Sequence, residues 1–210
     1  QTPFIGSYLR WIRFFGIFAS LFLLPLWFLF VTNPELKPEG LEFLGPQEEK
    51  KIPLLGQFLI VEIGLDLMRM AAVHTPQPLA VALGLVAAIL IGEIAVDTGL
   101  VTNEVIMYLS VAAVGMFATP SYELGLANRI VRLALIVLVA LFKIPGFVIG
   151  TTLWLILLSI DRSYNSPYMW PFIPFNAKAL FAMLLRRPAQ SNKFRPGITK
   201  AADNTRQGSE

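Results

Sequence analysis

The sequence predicts an all-α fold, a polytopic integral membrane helical bundle with about four crossings plus one or two embedded or interfacial helices. Three observations carry that reading. Of 210 residues, 55% are hydrophobic and only 15% charged, with a mean hydropathy of +0.63, whereas soluble domains are about 45–50% apolar and about 25% charged. A soluble chain this poor in charge would expose too much apolar surface. Uncharged runs approaching the length of a ~30 Å hydrocarbon core recur along the chain. Finally, the net charge of +3 is unevenly spread, a pattern that sets membrane topology rather than nucleic-acid binding. The same counts exclude an ordinary cytosolic enzyme, a disordered chain and a coiled coil. There are no cysteines and one histidine, His74, so disulfides, thiolate or two-His metal sites and a Cys nucleophile lack their residues. No cofactor, metal or nucleic acid is expected.

The elements follow in order. Residues 1–13 carry Arg10 and Arg13 and read as the juxtamembrane end of a preceding cytoplasmic domain, because the chain opens at Gln1 and ends in a polar tail. Residues 14–31 then run eighteen without a charge, roughly 27 Å of helix, with Pro25 expected to kink it. A signal peptide is the alternative, but the run is long for one and no A-x-A-like cleavage site follows. Residues 32–51 hold three prolines and five glutamates against three lysines, a solvated loop on the non-cytoplasmic side.

Residues 52–73 form an apolar run interrupted by Glu62, Asp66 and Arg69, whose spacings of four and three put them on one helical face. That is too polar for a lipid-facing span and predicts an interior, re-entrant or interfacial helix. His-Thr-Pro-Gln-Pro at 74–78 breaks it, with His74 as a surface or cap residue. Residues 79–101 are the next span, with Ala80, Gly84, Ala88 and Gly92 repeating every four residues as a helix-packing seam. Glu93 and Asp97 lie near its far end. Residues 105–119 are short, hence tilted or re-entrant. Thr119 and Pro120 read as N-cap and first helical residue of a helix bearing Glu123, Asn128, Arg129 and Arg132. Lys-Ile-Pro-Gly at 143–146 makes 133–160 either one broken span or a helical hairpin. Trp154, Tyr164, Tyr168 and Trp170 read as interfacial anchors. Residues 161–210 carry eight Lys/Arg against three Asp/Glu, a basic cytoplasmic tail, flexible from 186. Both termini are then cytoplasmic, domain 14–160 is transmembrane, and Arg129 and Arg132 fall on the outer side.

Chemistry can reside in Glu62, Asp66, Arg69, Glu93, Asp97 and Glu123. Ionisable groups at membrane depth cost at least about 2.5–3.5 kcal/mol each, so they face protein or water. They form either a polar pathway, as a ring of acids in an oligomer, or helix-to-helix ion pairs. The pairs available locally are Glu62 or Asp66 with Arg69, and Glu123 with Arg129 or Arg132. No H-E-x-x-H, G-x-S-x-G, G-x-x-x-x-G-K-[ST] or dinucleotide glycine signature occurs, so no catalytic residue is assigned.

Several long strings resemble one family. RWIRFFGIFASLFLLPLWFLFVTNPEL (10–36), the Glu62–Arg69 helix, IGEIAVDTGLV (91–101) and FATPSYELGLANRIVRL (117–133) are similar to the membrane domain of GerA-type spore germination receptor A subunits. SPYMWPFIPF (166–175) with the KFRPGITKAADNTRQ tail is similar to one paralogous branch. The resemblance implies an inner-membrane protein of bacterial endospores, preceded by a large cytoplasmic domain. It also implies homo-oligomers, in a ring, that release monovalent cations alongside other germination proteins. It implies no catalytic residues. Glu93 departs from the Gln expected in many relatives. The leading expectation is therefore a cation-conducting germination subunit with Glu62 and Asp66 foremost and Glu93 second. A secondary transporter with an acidic relay and a non-conducting scaffold are the alternatives.

Overall fold

The computed structural model describes residues 3–37, 40, 45–46, 50–74, 77–163 and 166–185. Most of the 38–49 loop, the break at 75–76, Tyr164 and the 186–210 tail lie outside the described residues. In order come α1 (Pro3–Thr32), a 3₁₀ turn (Pro34–Leu36), α2 (Leu54–His74) and α3 (Gln77–Ile89). A π turn (Leu90–Ile94) then leads into short α4 (Ala95–Asp97), followed by α5 (Asn103–Phe117) and α6 (Tyr122–Ile160). The paired two-residue strands β1 (Arg162–Ser163) and β2 (Ser166–Pro167) precede α7 (Ala177–Leu184). The fold is thus all-helical apart from that small pairing.

Among the described residues, Pro3–Thr32 and Tyr122–Ile160 are long and apolar enough to cross a membrane by length and composition, the second although it folds back at Lys143, and Asn103–Phe117 is apolar but shorter. About four crossings were expected, and these helices account for that expectation in part. The 79–101 run stays helical through the π turn to Asp97 and closes where Gly99 takes a left-handed φ of 73°, a common way to close a helix. Helix α1 starts before residue 14, because Arg10 and Arg13 do not interrupt helical hydrogen bonding. Pro25 is buried inside α1 without ending it.

The 133–160 ambiguity resolves as a hairpin. Lys143 has φ 54° and ψ −127°, and Pro145 follows it within α6. A Cβ placed on Gly150 would lie 2.7 Å from Leu138 Cδ1 and 2.8 Å from Leu135 Cδ2, and one on Gly146 would collide with the Leu138 carbonyl. In a straight helix residues 138 and 150 would be roughly 18 Å apart. The chain therefore folds back after Lys143, with 144–150 lying against the arm 122–142.

The chain forms two compact units, 16–150 and 1–15 with 151–210. In the first, Leu24, Trp27 and Phe28 of α1 meet Phe58 and Val61 of α2, Val105 and Leu109 of α5, and Ile136 and Val139 of α6. Phe58 stands edge-on to Trp27 and Phe28, each at 5.7 Å, the favoured geometry for aromatic quadrupoles. Buried Gln57 donates from Nε2 to the Ile52 carbonyl (2.8 Å) and accepts from the Thr102 N–H (2.9 Å). One amide thus ties the start of α2 to the N-cap of α5.

A close helix crossing lies between α1 and α5. A Cβ on Gly16 would lie 2.9 Å from Ala118 Cβ, and one on Gly115 would collide with the Gly16 carbonyl and stand 3.2 Å from Ser20 N. Only glycine permits that approach. In the second unit, Asn176 caps α7 by accepting from Ala179 N–H (3.1 Å). Arg10 donates to the Ala182 and Met183 carbonyls (3.1 and 2.9 Å) at the other end of α7, where unpaired carbonyls and the helix dipole favour a cation.

Gly115→Val should cost about 1–3 kcal/mol through overpacking. Gly92→Ala, where a Cβ meets nothing within 4 Å, should be near neutral. Thermal unfolding of the purified chain in detergent checks the pair, and equal midpoints would show that the α1–α5 contact is not tight.

Candidate functional site

Helix α2 presents Glu62 and Asp66 one turn apart, and α6 presents Arg129 and Arg132 three residues apart, so each pair shares a helical face. The two faces meet in the interior of the 16–150 unit. Arg132 Nη2 pairs with Glu62 Oε1, and Arg129 Nη1 pairs with Asp66 Oδ1. Arg129 Nε lies 2.9 Å from Glu62 Oε2, an ion pair by distance whose N–H is not aimed at the oxygen. Arg129 Nη2 also donates to the Glu62 carbonyl (2.9 Å), and Arg132 Nη1 to the Ser20 carbonyl of α1 (2.7 Å). Glu62, Arg129 and Arg132 are 2%, 4% and 2% exposed, while the Asp66 side chain stays 41% exposed.

Two carboxylates and two guanidiniums make a neutral cluster. Removing each ion from water is expensive, and only the opposite charge and well-placed acceptors compensate. The arrangement suits a clamp joining three helices. Among the described residues no three His, Cys, Asp or Glu side chains converge on a metal-sized site.

The remaining predicted residues are placed elsewhere. Glu62 and Asp66 do not pair with Arg69; their partners come from α6, distant in sequence. Arg69 instead reaches Met116 Sδ at 3.6 Å, and no ion pair to it forms among the described residues. Glu123 is exposed in the first turn of α6, where acid complements the helix dipole, and does not engage the buried arginines. The cap of that helix is Ser121, whose Oγ accepts from Leu124 N–H at 3.2 Å. Thr119, the expected cap, belongs to the turn closing α5, where its N–H donates to the Met116 carbonyl. Glu93 sits exposed in the π turn and Asp97 exposed at the end of α4.

Of the seam, a Cβ placed on Gly84 would lie 3.4 Å from Met68 Cε, while Ala88 and Gly92 are exposed. The Ala80 and His74 side chains lie outside the described residues. Sequence reasoning did not foresee Gln57 or Ser20, and it paired Arg129 and Arg132 with Glu123 rather than with Glu62 and Asp66. The available signal was numerical, two arginines on one face matching two carboxylates on another.

Arg132→Met leaves Glu62 buried with half its compensation and should cost about 3–5 kcal/mol. Adding Glu62→Gln should recover part of that loss. A double-mutant cycle on unfolding in detergent measures the coupling, and strict additivity would mean that the two groups do not interact.

Comparison with known proteins adds a family. The family model for the Bacillus/Clostridium GerA spore germination protein matches residues 1–198. Stage V sporulation protein AF of Bacillus subtilis (strain 168) is 49% identical over 207 residues, covering 99% of this chain and 42% of that protein. Spore germination protein GerQA of Bacillus cereus is 29% identical over 96% of this chain and 41% of its own length. Spore germination protein KA of Bacillus subtilis is 27% identical, over 98% and 38%. The chain thus spans about two fifths of the length of the curated relatives it matches. No solved structure matches it.

Proposed function

This chain belongs to the Bacillus/Clostridium GerA spore germination protein family, and from that membership we propose that it is the membrane-embedded part of a germination complex. In this reading it lies in the inner membrane of the endospore, with both termini on the core side. It assembles as a homo-oligomer beside other germination proteins and passes monovalent cations when germination begins. It performs no catalysis.

The observation that carries the conduction reading is the placement of the acids. Glu62 and Asp66 are already neutralised by Arg129 and Arg132, which leaves them little charge to offer a permeant ion. Glu93 and Asp97 are exposed on a stretch whose neighbours Val86, Ile89, Leu90 and Ile94 are exposed and apolar. An apolar surface of that kind suits lipid or another subunit, and an acid within it needs water or a partner. A π turn at the same place is a feature frequent at functional sites. One Glu93 per subunit around a symmetric axis would form an acidic ring that concentrates cations. Glu93 thereby replaces Glu62 and Asp66 as the foremost pore candidate.

The test uses spores carrying the full-length protein, comparing wild type, deletion and Glu93→Gln after a nutrient pulse. Potassium and dipicolinate release should slow severalfold in the deletion and detectably in Glu93→Gln, with nutrient specificity kept. Slowing in the deletion alone, with Glu93→Gln releasing like wild type, would favour the non-conducting scaffold. Unchanged release in both would remove the germination role.

A further inference from the structure

Between α2, α5 and the start of α6 lies a cavity of about 460 Å³, within the roughly 300–1,000 Å³ range of small-molecule sites. Leu65, Met68, Ala113 and Phe117 make its walls apolar, and Arg69 and Thr119 stand among its polar residues beside Ser121 and Tyr122. Arg69 and Thr119 are both underused. Arg69 has five N–H donors, yet its recorded contact is the thioether sulfur of Met116, a weak acceptor. No carboxylate pairs with it among the described residues. The Thr119 hydroxyl is buried with no hydrogen-bond partner there. A buried hydroxyl and a half-buried guanidinium without acceptors are costly unless something else satisfies them.

We propose that this cavity binds an anionic amphiphile, its carboxylate or phosphate head on Arg69 and its apolar body against the walls. The ligand class follows from the lining. A guanidinium selects a planar or tetrahedral oxyanion and can hold it through two N–H groups, while the walls reject a hydrophilic anion such as free phosphate. The head can come from a bilayer phospholipid or from a free fatty acid, which share that chemistry. The inference is independent of conduction, because it uses neither Glu93 nor any of the ion pairs that Glu62 and Asp66 make with Arg129 and Arg132.

The test is binding of a fluorescent C16 carboxylate and of its methyl ester to the purified chain in an uncharged detergent. Wild type should bind the acid at least about tenfold more tightly than the ester, as expected for one charge-assisted contact. Arg69→Met should erase that preference, and Arg69→Lys should keep most of it. Ala113→Leu, which fills the cavity, should weaken both probes. Native mass spectrometry of chain extracted from phosphatidylglycerol-containing membranes separates the sources. Phospholipid retained by wild type and lost in Arg69→Met identifies a lipid site, and acid binding without retained lipid identifies a free-acid site. Equal affinity for acid and ester in wild type, or an acid preference that survives Arg69→Met, overturns the proposal. Should Arg69→Met fail to fold, loss of binding in Ala113→Leu with a wild-type midpoint supports it, and unchanged binding there overturns it.

Discussion

The packing of this protein depends on one constraint, that two arginines and a glutamate removed from water must meet each other. Glu62, Arg129 and Arg132 each stand almost wholly out of solvent, and none is tolerable there alone. Their attraction is directional as well as strong, since the planar guanidinium fork accepts only certain approaches. Helix α2 must therefore present Glu62 to the face of α6 that carries both arginines. The bond from Arg132 to the Ser20 carbonyl then brings α1 to the same point. Apolar residues above and below the cluster could slide by a turn at small cost, whereas the ions cannot. The cluster fixes register, and the aromatic contacts of Phe58 with Trp27 and Phe28 fill the space that this register leaves.

A second device allows the first. Three helices can converge on a small ionic group only if their backbones come close. Gly16 and Gly115 remove the side chains that would hold α1 and α5 apart, and Ser20, next along the same face, touches both features. Close backbone approach matters most where the surroundings are apolar, because helix association there depends on packing and polar contacts rather than on expulsion of water.

Much of this was legible in the sequence, and the failures have physical causes. The apolar heart of α1, the polar face of α2 and the break at 143–146 could be read directly, since long uncharged runs and Lys-Ile-Pro-Gly are local signals. The partner of Glu62 could not, because spacing shows which residues share a face and not which face they meet. The local candidate, Arg69, sat nearer in sequence and yet faces a different neighbour. The repeat of Ala80, Gly84, Ala88 and Gly92 is a periodic signal, while the close crossing of α1 and α5 uses one glycine from each of two helices and leaves no repeat to find. The π turn at Glu93 has no sequence signature. Family membership was legible from ordered strings such as FATPSYELGLANRIVRL, which carry more information than any periodicity.

In the membrane-embedded arrangement proposed for this chain, the reversal at Lys143 would also work as a depth gauge. An exposed ammonium at the tip of an apolar hairpin is at its lowest energy among lipid headgroups. With that tip at the membrane surface, Arg132, eleven residues back along the arm, lies roughly 16 Å inward, near the middle of a ~30 Å hydrocarbon core. In that proposed arrangement the ionic cluster would sit where hydration is least available. The pairs from Arg129 and Arg132 to α2 would then tie any movement of this arm along the membrane normal to movement of α2.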